Sequence, residues 1–154
     1  MQFRNLDEAI DFAIEKEREA ADFYRRISEQ ESLNNKEMFL EFCREEEKHE
    51  ELLKQLKSGK TTGELDNYKW KWIIDIKRSN YVEKIEYKAG MTYREILMLA
   101  SKREEQALAM YNQFLKGAEN DHEKKLFKML CQEEARHKLA IEGMLDDFMA
   151  EMGD

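Results

Sequence analysis

Glu17, Glu46 and His49 in the first half of the chain are answered by Glu104, Glu134 and His137 in the second. Each falls on a helical stripe otherwise filled by apolar residues. Burying an unpaired carboxylate costs on the order of several kcal/mol, so four of them on core-facing stripes require cations. The pattern predicts a two-metal site. Within Glu46-x-x-His49 and Glu134-x-x-His137 the ligands lie about one helical turn apart, so each pair reaches one region and its glutamate can also bridge to a second ion. Oxygen-rich ligation with one imidazole per ion suits iron or manganese better than zinc or copper. Two divalent ions bring four positive charges and the four carboxylates cancel them. An oxo bridge would neutralise an oxidised pair, so the same cage tolerates a two-electron cycle.

Four helices must position these groups. Over about 5–29, Leu6, Ile10, Ala13, Ala20, Tyr24 and Ile27 recur at helical spacing, Glu17 fills the gap in the stripe, and Asn5 with Glu8 resembles a capping box. Over about 35–57, Phe39, Phe42, Leu53 and Leu56 share a face with Glu46 and His49. The third helix, about 92–116, opens on Thr92 with Glu95 three residues on. It carries Tyr93, Leu97, Ala100, Glu104, Ala107, Tyr111 and Phe114, and ends at Gly117. The fourth, about 120–149, carries Phe127, Leu130, Ile141, Met144 and Phe148 around Glu134 and His137.

The halves repeat. A shift of 87 carries Glu8, Ala13, Glu17, Ala20 and Tyr24 onto Glu95, Ala100, Glu104, Ala107 and Tyr111. A shift of 88 carries Phe39, Cys43, Glu45, Glu46 and His49 onto Phe127, Cys131, Glu133, Glu134 and His137. All six candidate ligands pair off. Glu119 and His122 form another Glu-x-x-His, but it has no counterpart in the other half and is expected in a solvated turn. One inward Glu on each of two helices, with an inward Glu-x-x-His on each of the other two, is the ligand set of ferritin-like di-iron or di-manganese bundles. The expected fold is therefore all-α, a single ferritin-like four-helix bundle over 1–154.

The segments EKEREAADFY with EEEKH, and SKREEQALAMY with CQEEARHK, resemble the rubrerythrin branch of the ferritin-like superfamily over both halves. The resemblance implies terminal metal ligation by Glu17 and Glu104, bridging by Glu46 and Glu134, nitrogen ligation by His49 and His137, and tyrosines Tyr24 and Tyr111 that orient the carboxylates. It also implies two iron ions, with manganese as the substitute, and reduction of hydrogen peroxide or oxygen in oxidative-stress defence. Ferroxidase or iron handling and a non-enzymatic metal-binding role are the alternatives. The chain departs from the pattern twice. It has no rubredoxin-type four-cysteine segment, so electrons must come from a separate donor such as a rubredoxin-like protein. Gln106, Ala107 and Leu108 stand where rubrerythrins commonly carry an extra glutamate.

Composition agrees with long helices: 154 residues, 39% charged, six glycines and no proline. A net charge of −8 argues against nucleic acid and anionic membranes as partners. No run is apolar enough to span a bilayer and no signal peptide is evident, so a cytoplasmic location is expected. Cys43 and Cys131 cannot make a disulfide scaffold and are expected as small packing residues; the nine methionines are expected as core filler. The connection 58–91 is far longer than a hairpin needs and suits a crossover between parallel second and third helices. Its aromatics Tyr68, Trp70, Trp72, Tyr81 and Tyr87 are expected to cover the bundle flank, with a dimer surface or lid as the functional alternative. A homodimer is implied by the resemblance.

Overall fold

The structure is a computed structural model that describes residues 5–30, 35–59, 88 and 90–152. The aromatic positions between Tyr68 and Tyr87 lie outside the described residues. Four helices account for nearly all of the described chain, with no strand among the described residues: α1 (Leu6–Ser28), α2 (Lys36–Lys57), α3 (Tyr93–Lys116) and α4 (Asp121–Met152). They form a four-helix bundle. No described helix is long and apolar enough to cross a membrane.

Local chemistry explains the starts. The Asn5 side chain accepts from the Glu8 N–H at 2.9 Å, and Thr92 and Glu95 form a reciprocal capping box. At α4 the Asn120 side chain accepts from the Glu123 N–H at 2.9 Å. Asn35 opens α2 at φ 59°, a left-handed position that asparagine tolerates, and its Nδ2 donates to the Tyr93 hydroxyl at 2.7 Å. That bond brings the start of α2 beside the start of α3. Gly117 ends α3 as expected, though at φ −93° rather than in the left-handed conformation.

Side-chain contacts set the helix directions. Asp11 pairs with Lys57, Arg18 with Glu50 and Arg25 with Glu47, so α1 and α2 are antiparallel. Tyr93 meets Phe148 and Phe114 meets Phe127, so α3 and α4 are antiparallel too. Tyr24 reaches Glu104 while Tyr111 reaches Glu17, which makes α1 antiparallel to α3. It follows that α2 and α3 run in the same direction, with Lys57 and Thr92 at opposite ends of the bundle.

The core is divided. One apolar cluster gathers Ile10, Ala13, Leu53, Tyr111 and Phe127, and the other gathers Tyr24, Ile27, Phe39, Leu97 and Ile141. Between them, at mid-length of every helix, lie the buried charged residues Glu17, Glu46, His49, Glu104, Glu134 and His137. Several expected core positions shift. Ala21 is buried where Ala20 was expected, and Leu6 is 38% exposed at the first turn of α1. Met129 and Met144 do fill the core, but Met38, Met98, Met149 and Met152 are exposed.

Candidate metal centre

All six residues singled out from the sequence meet in the polar layer. Ligand atoms of Glu17, Glu46, His49 and Glu134 lie within 4.8 Å of one another, as do those of Glu46, Glu104, Glu134 and His137. The two groups share Glu46 and Glu134. Each group therefore holds three carboxylates and one imidazole, and the shared pair stands where two adjacent ions would be bridged. Both imidazoles turn Nδ1 inward: His49 Nδ1 is 3.0 Å from Glu134 Oε1 and 3.4 Å from Glu46 Oε1, and His137 Nδ1 is 3.2 Å from Glu46 Oε1.

The tyrosines cross between the hairpins. Tyr24 donates to Glu104 Oε1 at 2.5 Å and Tyr111 donates to Glu17 Oε1. Each bond fixes one oxygen of a carboxylate and leaves the other free. Glu17 Oε2, Glu104 Oε2, Glu46 Oε1, both oxygens of Glu134 and Nδ1 of both histidines are buried without a hydrogen-bond partner. Buried polar atoms are nearly always satisfied, so seven in one layer, all of metal-ligating type and all converging, fit a pair of cations.

With protein groups alone, protons carry the charge balance. Burial, followed by the charge of Glu46, raises the Glu17 carboxyl to about 8, and burial with the charges of Glu104 and Glu46 raises Glu134 well above the carboxylate range. Glu46 goes the other way: burial opposes ionisation, but the two imidazoles beside it win and hold it low. Burial likewise works against charge on His49 and His137, yet the surrounding carboxylates, led by Glu17 and Glu104 respectively, raise both well above the usual imidazole value. Burial and the neighbouring carboxylates push both tyrosines up, which keeps their hydroxyls as donors.

Three further residues, given no role by the sequence pattern, complete the surroundings. His137 Nε2 meets Glu45 Oε2 at 2.8 Å, and His49 Nε2 faces Glu133 Oε1 at 3.9 Å, so each histidine looks across the α2–α4 interface at a carboxylate from the opposite helix. Arg136 pairs with both Glu45 and Glu133. Burial would raise Glu133, but His49 and Arg136 hold it at about 2, and His137 with Arg136 holds Glu45 low against the same opposition. Such outer carboxylates orient ligating imidazoles. Their signal in the sequence was the pairing of Glu45 with Glu133 at the same shift that relates the histidines.

The remaining candidates stay outside. Glu119 is exposed in the turn and His122 lies in the first turn of α4, neither in the cluster. Cys43 and Cys131 are buried and form no disulfide among the described residues; the Cys43 thiol donates to Glu47 at 3.4 Å, and burial with that contact raises it.

No protein-family model and no curated protein matches this chain. A solved structure described as a hypothetical protein from Pyrococcus furiosus resembles it with a TM-score of 0.70, at 21% identity, over 93% of this chain and 89% of its own. The likeness is one of fold.

Proposed function

We propose that this chain is a ferritin-like di-iron carboxylate protein of rubrerythrin type that reduces hydrogen peroxide or oxygen with electrons from a separate donor. The observation that carries the reading is the pair of four-residue clusters sharing Glu46 and Glu134. The parallel course of α2 and α3 supports it, since a ferritin-like bundle with one long crossover requires that arrangement. When bound, two ferrous ions supply two electrons at one place, enough to convert hydrogen peroxide and two protons into two waters.

The chain's own residues do the rest. Glu46 and Glu134 would be shared by two cations, and Glu17 and Glu104 would each complete one position with the oxygen its tyrosine leaves free. Tyr24 and Tyr111 stop those carboxylates from rotating. The apolar clusters above and below exclude water from the layer, which strengthens every charge interaction within it. Loading with ferrous iron without oxygen, followed by metal analysis, is expected to give two ions per chain, and failure to bind iron or manganese at that ratio would sink the reading. Rapid mixing of the loaded protein with peroxide and, separately, with oxygen then identifies the oxidant by the faster oxidation. Iron released into solution as the oxidised product would point to a ferroxidase instead.

A further inference from the structure

The two halves match in their ligands and differ around them, and the differences favour one side. His137 Nε2 is within hydrogen-bond reach of Glu45 Oε2 at 2.8 Å, whereas His49 Nε2 stands 3.9 Å from Glu133 Oε1, too far for a bond. Arg136 touches both outer carboxylates, but not in the same way. On Glu45 it grips Oε2, the oxygen that accepts from His137. On Glu133 its Nε meets Oε2 at 3.2 Å, leaving the arginine on a different oxygen from the one that faces His49. The repeat counterpart of Arg136 is Lys48, exposed on α2 and without a planar fork able to hold two carboxylates. Phe42 also stacks on the His137 ring, with centroids 4.2 Å apart and planes at 27°, and its repeat counterpart is Leu130, which has no ring.

We propose that the two metal positions are inequivalent and fill in order. The position made by Glu46, Glu104, Glu134 and His137 takes a divalent transition-metal ion first and more tightly; the position completed by Glu17 and His49 fills second. An imidazole already fixed in its ligating orientation loses less freedom on binding, so a ring held by a hydrogen bond on its edge and a phenyl group on its face gives the tighter site. Arg136 is a positioning residue that acts through Glu45. Ordered filling would let a mixed-metal pair be assembled by order of addition. The inference rests on the metal-binding reading above and refines it.

The test is an anaerobic calorimetric titration of the metal-free full chain with Co2+, with the visible absorption of the bound ion followed in parallel. Two steps are expected, the first tighter by about tenfold or more. Glu45→Gln and Arg136→Gln are expected to weaken the first step by about 10- to 100-fold, the usual effect of losing an outer partner of a metal ligand, while Glu133→Gln leaves it in place. Glu104→Gln should remove the tight step, and Glu17→Gln should spare it. Arg136 is 41% exposed, so its replacement leaves the packing intact; should it fail to fold, Glu45→Gln carries the test. Two ions taken up in one step of equal affinity, or a tight step lost in Glu17→Gln and kept in Glu104→Gln, overturns the order. A tight step weakened in Arg136→Gln but untouched in Glu45→Gln overturns the route through Glu45. Absence of any bound Co2+ overturns the metal-binding reading itself.

Discussion

The apolar clusters at the two ends of the bundle and the polar layer between them answer opposite demands. In the clusters, side chains such as Phe127, Leu53, Phe39 and Leu97 are fully enclosed and bring nothing that needs a partner. In the layer, four carboxylates and two imidazoles are equally enclosed, and eight of their atoms lack one. The same helices build both. The ends of the bundle therefore hold the fold while its middle strains against it, and stability is given up where the chemistry would occur.

Substitutions should separate the regions by the property they change, stability in one and metal content in the other. Phe127→Ala in one cluster and Phe39→Ala in the other are expected to cost about 3–5 kcal/mol each in denaturant melts, with or without metal, because each opens a cavity the helices cannot close. Glu134→Gln should do the reverse. Burial and its neighbours already favour the neutral form of Glu134, so a neutral amide of the same shape should change metal-free stability by about 1 kcal/mol or less. Yet both clusters lose a shared ligand, so metal content should fall from two ions per chain toward none. A Glu134→Gln protein that still bound two ions would show that Glu134 is not the ligand the two groups share.

The sequence made this division legible to different depths. Helical phase alone marked all six layer residues, because a charged residue on an apolar stripe is conspicuous whatever the exact boundaries. Caps fixed the starts at Asn5 and Thr92, where side chain and backbone lie within one turn. The stripe itself drifted: α1 packs against both α2 and α3, so it buries a broad arc that takes in Ala21, and a single line through Ala20 misses that. Glu45 and Glu133 showed only as a repeated pair, and their role, like that of Arg136, stayed hidden for another reason. Their position on α2 and α4 is half-exposed, where charge is ordinary, and their role exists only across an interface between helices distant in sequence.

Acidity should expose the same contrast, since the aliphatic and phenyl side chains that fill the apolar clusters carry no titratable group. Glu17 holds its proton up to about 8 in the folded chain against an ordinary value of 4.5, so its contribution to metal-free stability is complete below about 4.5 and lost as pH rises through 8. The imidazoles, raised above 6.5, act in the same direction. Glu133, held at about 2, gives stability that is present above 4.5 and lost in acid. Metal-free protein should thus melt at falling temperature as pH rises from 5 to 9. Metal replaces those protons, so the gap in melting temperature between loaded and metal-free protein should widen over the same range, with protons released on loading at pH 7. A gap independent of pH would mean that bound ions leave the layer's protons in place.

The smallest expected effects belong to the tyrosines, which stand where layer and clusters meet. Tyr24 packs in one apolar cluster and Tyr111 in the other, and each sends only its hydroxyl into the layer. Phenylalanine keeps the packing and removes the donor, so Tyr24→Phe and Tyr111→Phe should each cost about 1 kcal/mol in metal-free melts. The pair is more telling than either alone. If the layer were two independent halves, the double variant would lose the sum of the single losses. But Glu104 and Glu17 meet the same Glu46 and Glu134, so releasing one carboxylate lets the shared pair readjust before the second is freed. Non-additivity beyond about 0.5 kcal/mol is expected in that double-mutant cycle, and strict additivity would divide the layer into two separate sites.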